Sequence, residues 1–344
     1  MSLSNLGGWP AVLTTLSSGN DLTDEVAQSA LDAILAGEAT DAQIAGFMIG
    51  MRIKGESVPE ITGMVRAMQS AATPLHLPDD TIDIVGVGGA PSRQKHALNV
   101  STMAAIVAAA AGATVCKHGN RKASSTSGSM DVLEALGVRI ELSPAELSTL
   151  VHDTGLGFAF ARTFHPAMRF VAGVRGELGV PTVFNLLGPL SHPGQLKHQV
   201  IGVADVVAAS RMIEVLAASG SIRAMVVSGH DSLDELTTTG PTNVFELRSG
   251  EILSYEVTPQ SVGLAVAAPE DLIGGDAQAN AEIAHRIFAG DKGPKRDIVV
   301  LNVAACLVVA DRADDLAAGV ALADEAIDSG GAADKLQQLI AATA

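Results

Sequence analysis

Over the first 72 residues, apolar positions recur every three to four places. In "DLTDEVAQSALDAILAG", Val26, Ala30, Leu31 and Ile34 mark one helical face, with acids in the first turn and Gly37 at the stop. "TDAQIAGFMIGMRIKG" and "SVPEITGMVRAMQSAA" repeat the pattern, with Thr40 and Ser57 at N-cap positions. No strand-like run precedes Ile82. From there the pattern changes to short β-branched runs: "TIDIVG", "ATVCKHG", "VRIEL", "LKHQVIGVA", "IRAMVVSGH" and "VFELRSGEIL". Between and after them, helices are expected at 102–111, 129–136, 143–155, 205–219, around 276–290 and over 296–330. Strands separated by helices of this length predict an α/β fold with a mainly parallel central sheet, preceded by a small all-helical region.

The composition agrees with a folded chain. Of 344 residues, 47% are hydrophobic and 17% charged, enough for one large domain or two unequal ones. The longest apolar stretches, such as "AAIVAAAAGATVC", are broken by glycine too soon to span a bilayer, and no basic-then-apolar leader opens the chain. A cytoplasmic protein with no membrane partner is expected. Cys116 and Cys306 lie in apolar segments without a second Cys or His at metal-ligand spacing, so they read as buried thiols.

The net charge of −16, with one Trp and one Tyr, argues against nucleic acid as a partner. An anionic ligand needs a local exception, and one exists. No Asp or Glu falls between Asp83 and Asp131, where about five would fall by chance. The same stretch carries Arg93, Lys95, Lys117, Arg121 and Lys122 with His96 and His118. Solvated cations flanking a small-residue core helix would also produce it.

Three loops compete for the ligand end of such a sheet. In "DIVGVGGAPSRQKHALNVST", Gly86, Gly88 and Gly89 allow close approach of backbone N–H groups to a phosphate, and Asn99, Ser101 and Thr102 open a helix. The spacing is not that of a nicotinamide site. "KHGNRKASSTSGSMDVLEALG" offers Lys117, His118, Asn120 and Arg121, then Ser124, Ser125 and Ser127 before another helix start, a donor set suited to a diphosphate. In "VSGHDSLDELTTTG", Asp234 and Glu235 are adjacent; they read either as an acidic surface turn or as carboxylates sharing Mg²⁺ with substrate phosphate.

Taken together, "KHGNRKASSTSGSMDVLEALGV", "FAFARTFHPAMRFVAGVRGELGVPTVFNLLGPLSHPG", "DSLDELTTTG" and "GGDAQAN" resemble the anthranilate phosphoribosyltransferase family over nearly the whole chain. The resemblance implies a helical domain over 1–72 with a helical return near 170–185, hinged to an α/β domain over 73–344 that binds 5-phosphoribosyl 1-diphosphate (PRPP). It implies PRPP and anthranilate as substrates, Mg²⁺ as cofactor and a homodimer through the helical domain. Carried over by position, Gly86, Gly88, Gly89, Asn99, Ser101, Thr102, Lys117 and Ser129 would hold the ribose phosphate and diphosphate. Asp234 and Glu235, with Ser101, would hold Mg²⁺. His118, Asn120, His165 and Arg175 would line the anthranilate path, and Lys117 and Arg175 would be the catalytic cations.

Arg175 also has a reading of its own. It projects from a helix that is apolar at Phe170, Val171 and Val174, where a guanidinium fork suits an aromatic carboxylate; an ion pair with Glu177 is the alternative. The family pattern G-T-G-G-D-G-x-x-T-F-N-I-S-T is altered here to Val87, Ala90 and Pro91, with "SRQKHAL" in a longer loop whose cations could replace backbone donors. Ser232 stands where the family has Gly. A paralogue acting on another aromatic acid, a nucleoside phosphorylase and a non-catalytic nucleic-acid binder remain as alternatives at this level.

Overall fold

The computed structural model describes residues 2–88, 98–122 and 126–344. Gly89, Arg93, Lys95, His96, Ser124 and Ser125, together with the Ala90 and Pro91 departures, fall outside the described residues.

The chain opens with four helices, α1 (Gly8–Ser17), α2 (Asp24–Leu35), α3 (Asp41–Lys54) and α4 (Val58–Ala71). The caps behave as their chemistry requires. Thr40 Oγ1 accepts from the Gln43 N–H while Gln43 returns the bond to the Thr40 N–H. Ser57 differs: its hydroxyl and N–H both donate to Glu60, which also accepts from the Leu22 N–H and from Lys54, so one buried carboxylate ties α3, α4 and the turn before α2.

Among the described residues seven strands follow: β1 (Ile82–Gly86), β2 (Val115–Gly119), β3 (Leu156–Phe160), β4 (His198–Gly202), β5 (Arg223–Gly229), β6 (Thr242–Arg248) and β7 (Glu251–Val257). Their order is β3-β2-β1-β4-β5-β6-β7, parallel from β3 through β5, with an antiparallel hairpin at the far edge. β5 is buried along its whole length and β7 is exposed except at Val257, as expected for a central and an edge strand.

One face of the sheet is covered by α5 (Val100–Ala110), α13 (Pro294–Val309), α14 (Leu316–Asp328) and α15 (Gly331–Thr343). α5 and, beyond its charged first turn, α13 are apolar on nearly every side and are correspondingly buried. The other face packs on α11 (Val206–Ala218), and through it on α4; α9 (Arg169–Leu178) and α10 (Val183–Leu190) return to the N-terminal helices and share their core. Among the described residues no helix is long and apolar enough to cross a membrane.

Three expectations are corrected. "VRIEL" forms no strand: Val138, Ile140 and Leu142 alternate inward as a strand would, but Arg139 binds Thr343 at the end of α15, so the segment packs on a helix without a ladder partner. β3 was not anticipated, because "LGFAF" follows directly on α7 (Pro144–Thr154) with only Gly155 between them. The stretch 296–330 is two helices, and α15 extends helical structure almost to the end of the chain.

Candidate active site

Beyond the carboxyl ends of parallel strands, a crevice forms where the strand order reverses. Here that point lies between β1 and β4, at the paired Gly86 and Gly202. Asp234 seats itself over both. A Cβ on Gly86 would meet its carboxylate, and a Cβ on Gly202 would meet its carbonyl oxygen. Gly88, at φ 75°, donates its N–H to Asp234 Oδ2 at 2.8 Å. The glycine turn and the acidic loop, 146 positions apart, thus form one structure, and the turn presents an N–H that takes an anion.

The acidic loop is held from beneath. Asn302 on α13 donates to the Leu236 carbonyl at 2.9 Å and accepts from the Leu236 N–H at 3.1 Å, clamping the backbone beside Glu235. Asp231 accepts the Thr237 and Thr239 hydroxyls at 3.0 and 2.7 Å.

Lys117 is buried, with Nζ donating to the Ile84 carbonyl at 2.6 Å. Burial lowers its pKa, and Asp83 is the chief counterweight, with Glu235 and Asp234 close enough to add to it. Lys117 therefore underlies the crevice and is not a free donor on its rim. Asp83 Oδ1 accepts the His118 N–H at 3.0 Å, and burial raises its pKa to about 7 against the pull of Lys117.

The second loop is pinned by Asp131, which accepts the Lys122 and Gly128 N–H groups, each at 2.9 Å. Ser129 Oγ donates to the Asn120 carbonyl at 3.2 Å at the start of α6 (Ser129–Ala135). Arg121, expected among the diphosphate donors, is turned away: it pairs with Glu134 and Asp131. At α5, Ser101 is half-buried and Thr102 is buried, its hydroxyl without a partner among the described residues.

At the end of β2, His118 joins a cluster of three buried histidines. The ring of His118 is 5.2 Å from that of His165 and 5.7 Å from that of His192. His192 Nε2 bonds the Cys116 carbonyl at 2.9 Å, so it carries the proton, and its Nδ1 accepts from the Gly194 N–H at 3.0 Å. Burial holds His118 well below the ordinary imidazole range, His165 near 4 and His192 near 3. The three rings are neutral at pH 7, and among the described residues Nε2 of His118 and of His165 has no hydrogen-bond partner.

Arg175 lies on α9, its Cζ 5.7 Å from the Phe184 ring centroid and its Nη2 3.5 Å from Asn185 Oδ1. Burial alone lowers its pKa; among the described residues no carboxylate pairs with it, Glu177 included. A half-buried guanidinium without an acid is an anion site in waiting.

Sequence reasoning missed Asp83, His192, Asn280 and Asn302 as parts of this region. Asn302 left a signal, a lone amide in the apolar run "IVVLNVAACLVV". His192 and Asn280 sat inside quoted motifs, but their partners are distant in sequence.

Comparison with known proteins adds a consistent picture. Residues 10–72 match the model "Glycosyl transferase family, helical bundle domain", and residues 78–333 match "Glycosyl transferase family, a/b domain". An anthranilate phosphoribosyltransferase of Arthrobacter sp. (strain FB24) is 47% identical over 341 residues, covering 97% of this chain and 96% of the relative. The crystal structure of the Thermus thermophilus anthranilate phosphoribosyltransferase superposes with a TM-score of 0.91 at 43% identity, over 96% of this chain and 99% of that one. The Saccharomyces cerevisiae enzyme in complex with PRPP and Mg superposes with a TM-score of 0.88 at 27% identity, over 97% of each chain.

Proposed function

This chain belongs to the anthranilate phosphoribosyltransferase family, and from that membership we propose that it transfers the 5-phosphoribosyl group of PRPP to the amine of anthranilate, releasing diphosphate. The observation that carries the reading is Asp234 lying on the Gly86–Gly88 turn at the strand switch point. Asp234 already takes the Gly88 N–H, so a phosphate brought to the same turn is repelled unless a cation lies between the two anions. Asp234, Glu235 and the Ser101 hydroxyl are hard oxygen donors of the kind Mg²⁺ takes alongside substrate phosphate and water. Bound there, Mg²⁺ would neutralise charge gathering on the departing diphosphate.

The chain's own residues divide the remaining tasks. Gly86, Gly88, Gly89, Asn99, Ser101, Thr102 and Ser129 hold the ribose phosphate and diphosphate through backbone and hydroxyl donors. Lys117, fixed beneath the crevice, supplies a positive potential there and meets no phosphate in this arrangement. Arg175 takes the anthranilate carboxylate, and Asn120, His118 and His165 line the approach. With both imidazoles neutral, the acceptor amine meets no second cation that would compete with Arg175 for the carboxylate.

The same reading includes a helical domain over 1–72 completed by 170–185, an α/β domain over 73–344, a cytoplasmic location and a homodimer through the helical side. Ile53 on α3 is 81% exposed, and Arg52 reaches the Pro181 carbonyl next to exposed Val180, a surface suited to a second copy.

Loss of anthranilate fluorescence tests the reaction. Turnover is expected only with PRPP and Mg²⁺ together, to stop with EDTA, and in Arg175→Ala to show an anthranilate KM raised roughly ten- to a hundredfold with the PRPP KM nearly unchanged. Turnover undiminished by EDTA would overturn the metal role, and equal weakening of both substrates would overturn the role of Arg175.

A further inference from the structure

Asn99 occupies the N-cap position of α5, where an asparagine ordinarily folds back to accept an N–H of the first turn. It does not do so here. Its Oδ1 accepts from Asn280 Nδ2 at 2.7 Å, and its Nδ2 donates to the Ser127 carbonyl at 3.3 Å. Asn280 is fully buried, and its amide cannot turn around: Oδ1 accepts the Gly275 N–H at 2.8 Å while Nδ2 also reaches the Gly275 carbonyl at 3.3 Å. Thr126 donates to that same carbonyl at 2.9 Å. One amide direction is thus transmitted from the Gly275 backbone through Asn280 to Asn99, and from Asn99 to the second loop.

The consequence falls on the start of α5. The Met103 N–H is taken by the Asn99 carbonyl and the Val100 N–H by the Leu98 carbonyl, but among the described residues nothing accepts from the N–H groups of Ser101 and Thr102. The Thr102 hydroxyl beside them is buried and, among the described residues, unpartnered. Among the described residues, two backbone donors at the positive end of a helix are thus left without a protein acceptor, next to a buried hydroxyl that also lacks one.

We propose that Asn280 is a positioning residue for phosphate recognition: by engaging the Asn99 side chain it keeps Asn99 from capping α5, so that the Ser101 and Thr102 N–H groups stay open for the anionic part of the substrate. The inference deepens the PRPP reading and rests on it. If Asn99 were released, it would cap the helix and the incoming phosphate would have to displace it.

The test is a double-mutant cycle in the full-length protein, pairing Asn280→Asp with Asn99→Ala. Asn280→Asp preserves volume and replaces the amide donor with an acceptor, breaking the bond to Asn99 Oδ1. It is expected to raise the PRPP KM at least about fivefold, the equivalent of the roughly 1 kcal/mol carried by an asparagine cap, with the anthranilate KM unchanged within about twofold. In the Asn99→Ala background, where no side chain remains to cap the helix, Asn280→Asp is expected to have no further effect. The dissociation constant for inorganic diphosphate, read by calorimetry, should follow the same cycle. Asn280→Ser, which keeps a hydroxyl for Gly275, serves if the aspartate variant does not fold.

Additive effects of the two substitutions, or a parental PRPP KM in a folded Asn280 variant, would overturn the inference and leave Asn280 a purely structural residue. A parent protein that consumes no anthranilate would overturn the functional reading instead, while the diphosphate cycle still decides the role of Asn280.

Discussion

Ser232 has its backbone at φ 60°, in the left-handed region, on the turn that delivers Asp234. A side chain there is strained by roughly 1–2 kcal/mol, part of which a glycine gives back through the extra freedom of the unfolded chain. Ser232→Gly is therefore expected to stabilise the protein by about 1 kcal/mol and to raise the thermal midpoint by about 1–2 °C in scanning calorimetry. A midpoint that stays put or falls would mean that the serine's own contacts compensate the strain. The glycine that the family pattern has where this chain has Ser232 is thus the residue this backbone conformation favours. Other residues were legible for chemical reasons: adjacent carboxylates and an arginine on an apolar helix both stand out in a linear text. Asn280 and Asn302 did not, because each acts on partners 181 and 66 positions away and a buried amide reveals its purpose only through them. Lys117 was visible as a cation, but its downward turn onto Ile84 depends on Asp83 one strand away, which no spacing encodes.

At the level of elements, β1 and β4 meet the acidic loop so closely that only glycine fits at their carboxyl ends. Gly202→Ala would drive its methyl group into the Asp234 backbone, which cannot yield as a flexible side chain would. Displacement of the loop should raise the Mg²⁺ concentration needed for half-maximal activity about tenfold or more, at a stability cost on the order of 1–3 kcal/mol. Metal titration of activity alongside thermal melting checks this, and a parental Mg²⁺ requirement would contradict it. The strands that build this crevice were readable as β-branched runs bounded by glycine. β3 was not, since a five-residue apolar run abutting a helix has no period of its own, and "VRIEL" misled because alternate burial against α15 imitates a strand.

For the whole molecule, the histidine cluster sets a pH limit. As pH falls below about 6.5, the unfolded chain binds protons that the buried rings refuse, down to about 4 for His165 and about 3 for His192, with His118 also well below its ordinary value. Each such ring removes stability at about 1.4 kcal/mol per pH unit within its window. Asp83, raised to about 7, acts in the opposite sense between about 4 and 7, because the folded chain keeps a proton the unfolded chain has lost. The three rings, with His198 also held low by burial, outweigh Asp83 together with Asp32 and Asp297, which burial raises, so the thermal midpoint should fall between pH 6.5 and 5; a flat or rising profile would show that the rings are not held neutral. The strand order has a different kind of consequence. Gly88 meets Asp234 across 146 residues, Asn99 meets Asn280 across 181, and Arg139 meets Thr343 across 204. Closing loops of that length is entropically late and slow, whereas the helices at either end of the chain form from neighbours. During synthesis, then, most of the chain can collapse before any catalytic crevice exists, and the enzyme gains activity only as its last strands and helices close over the first.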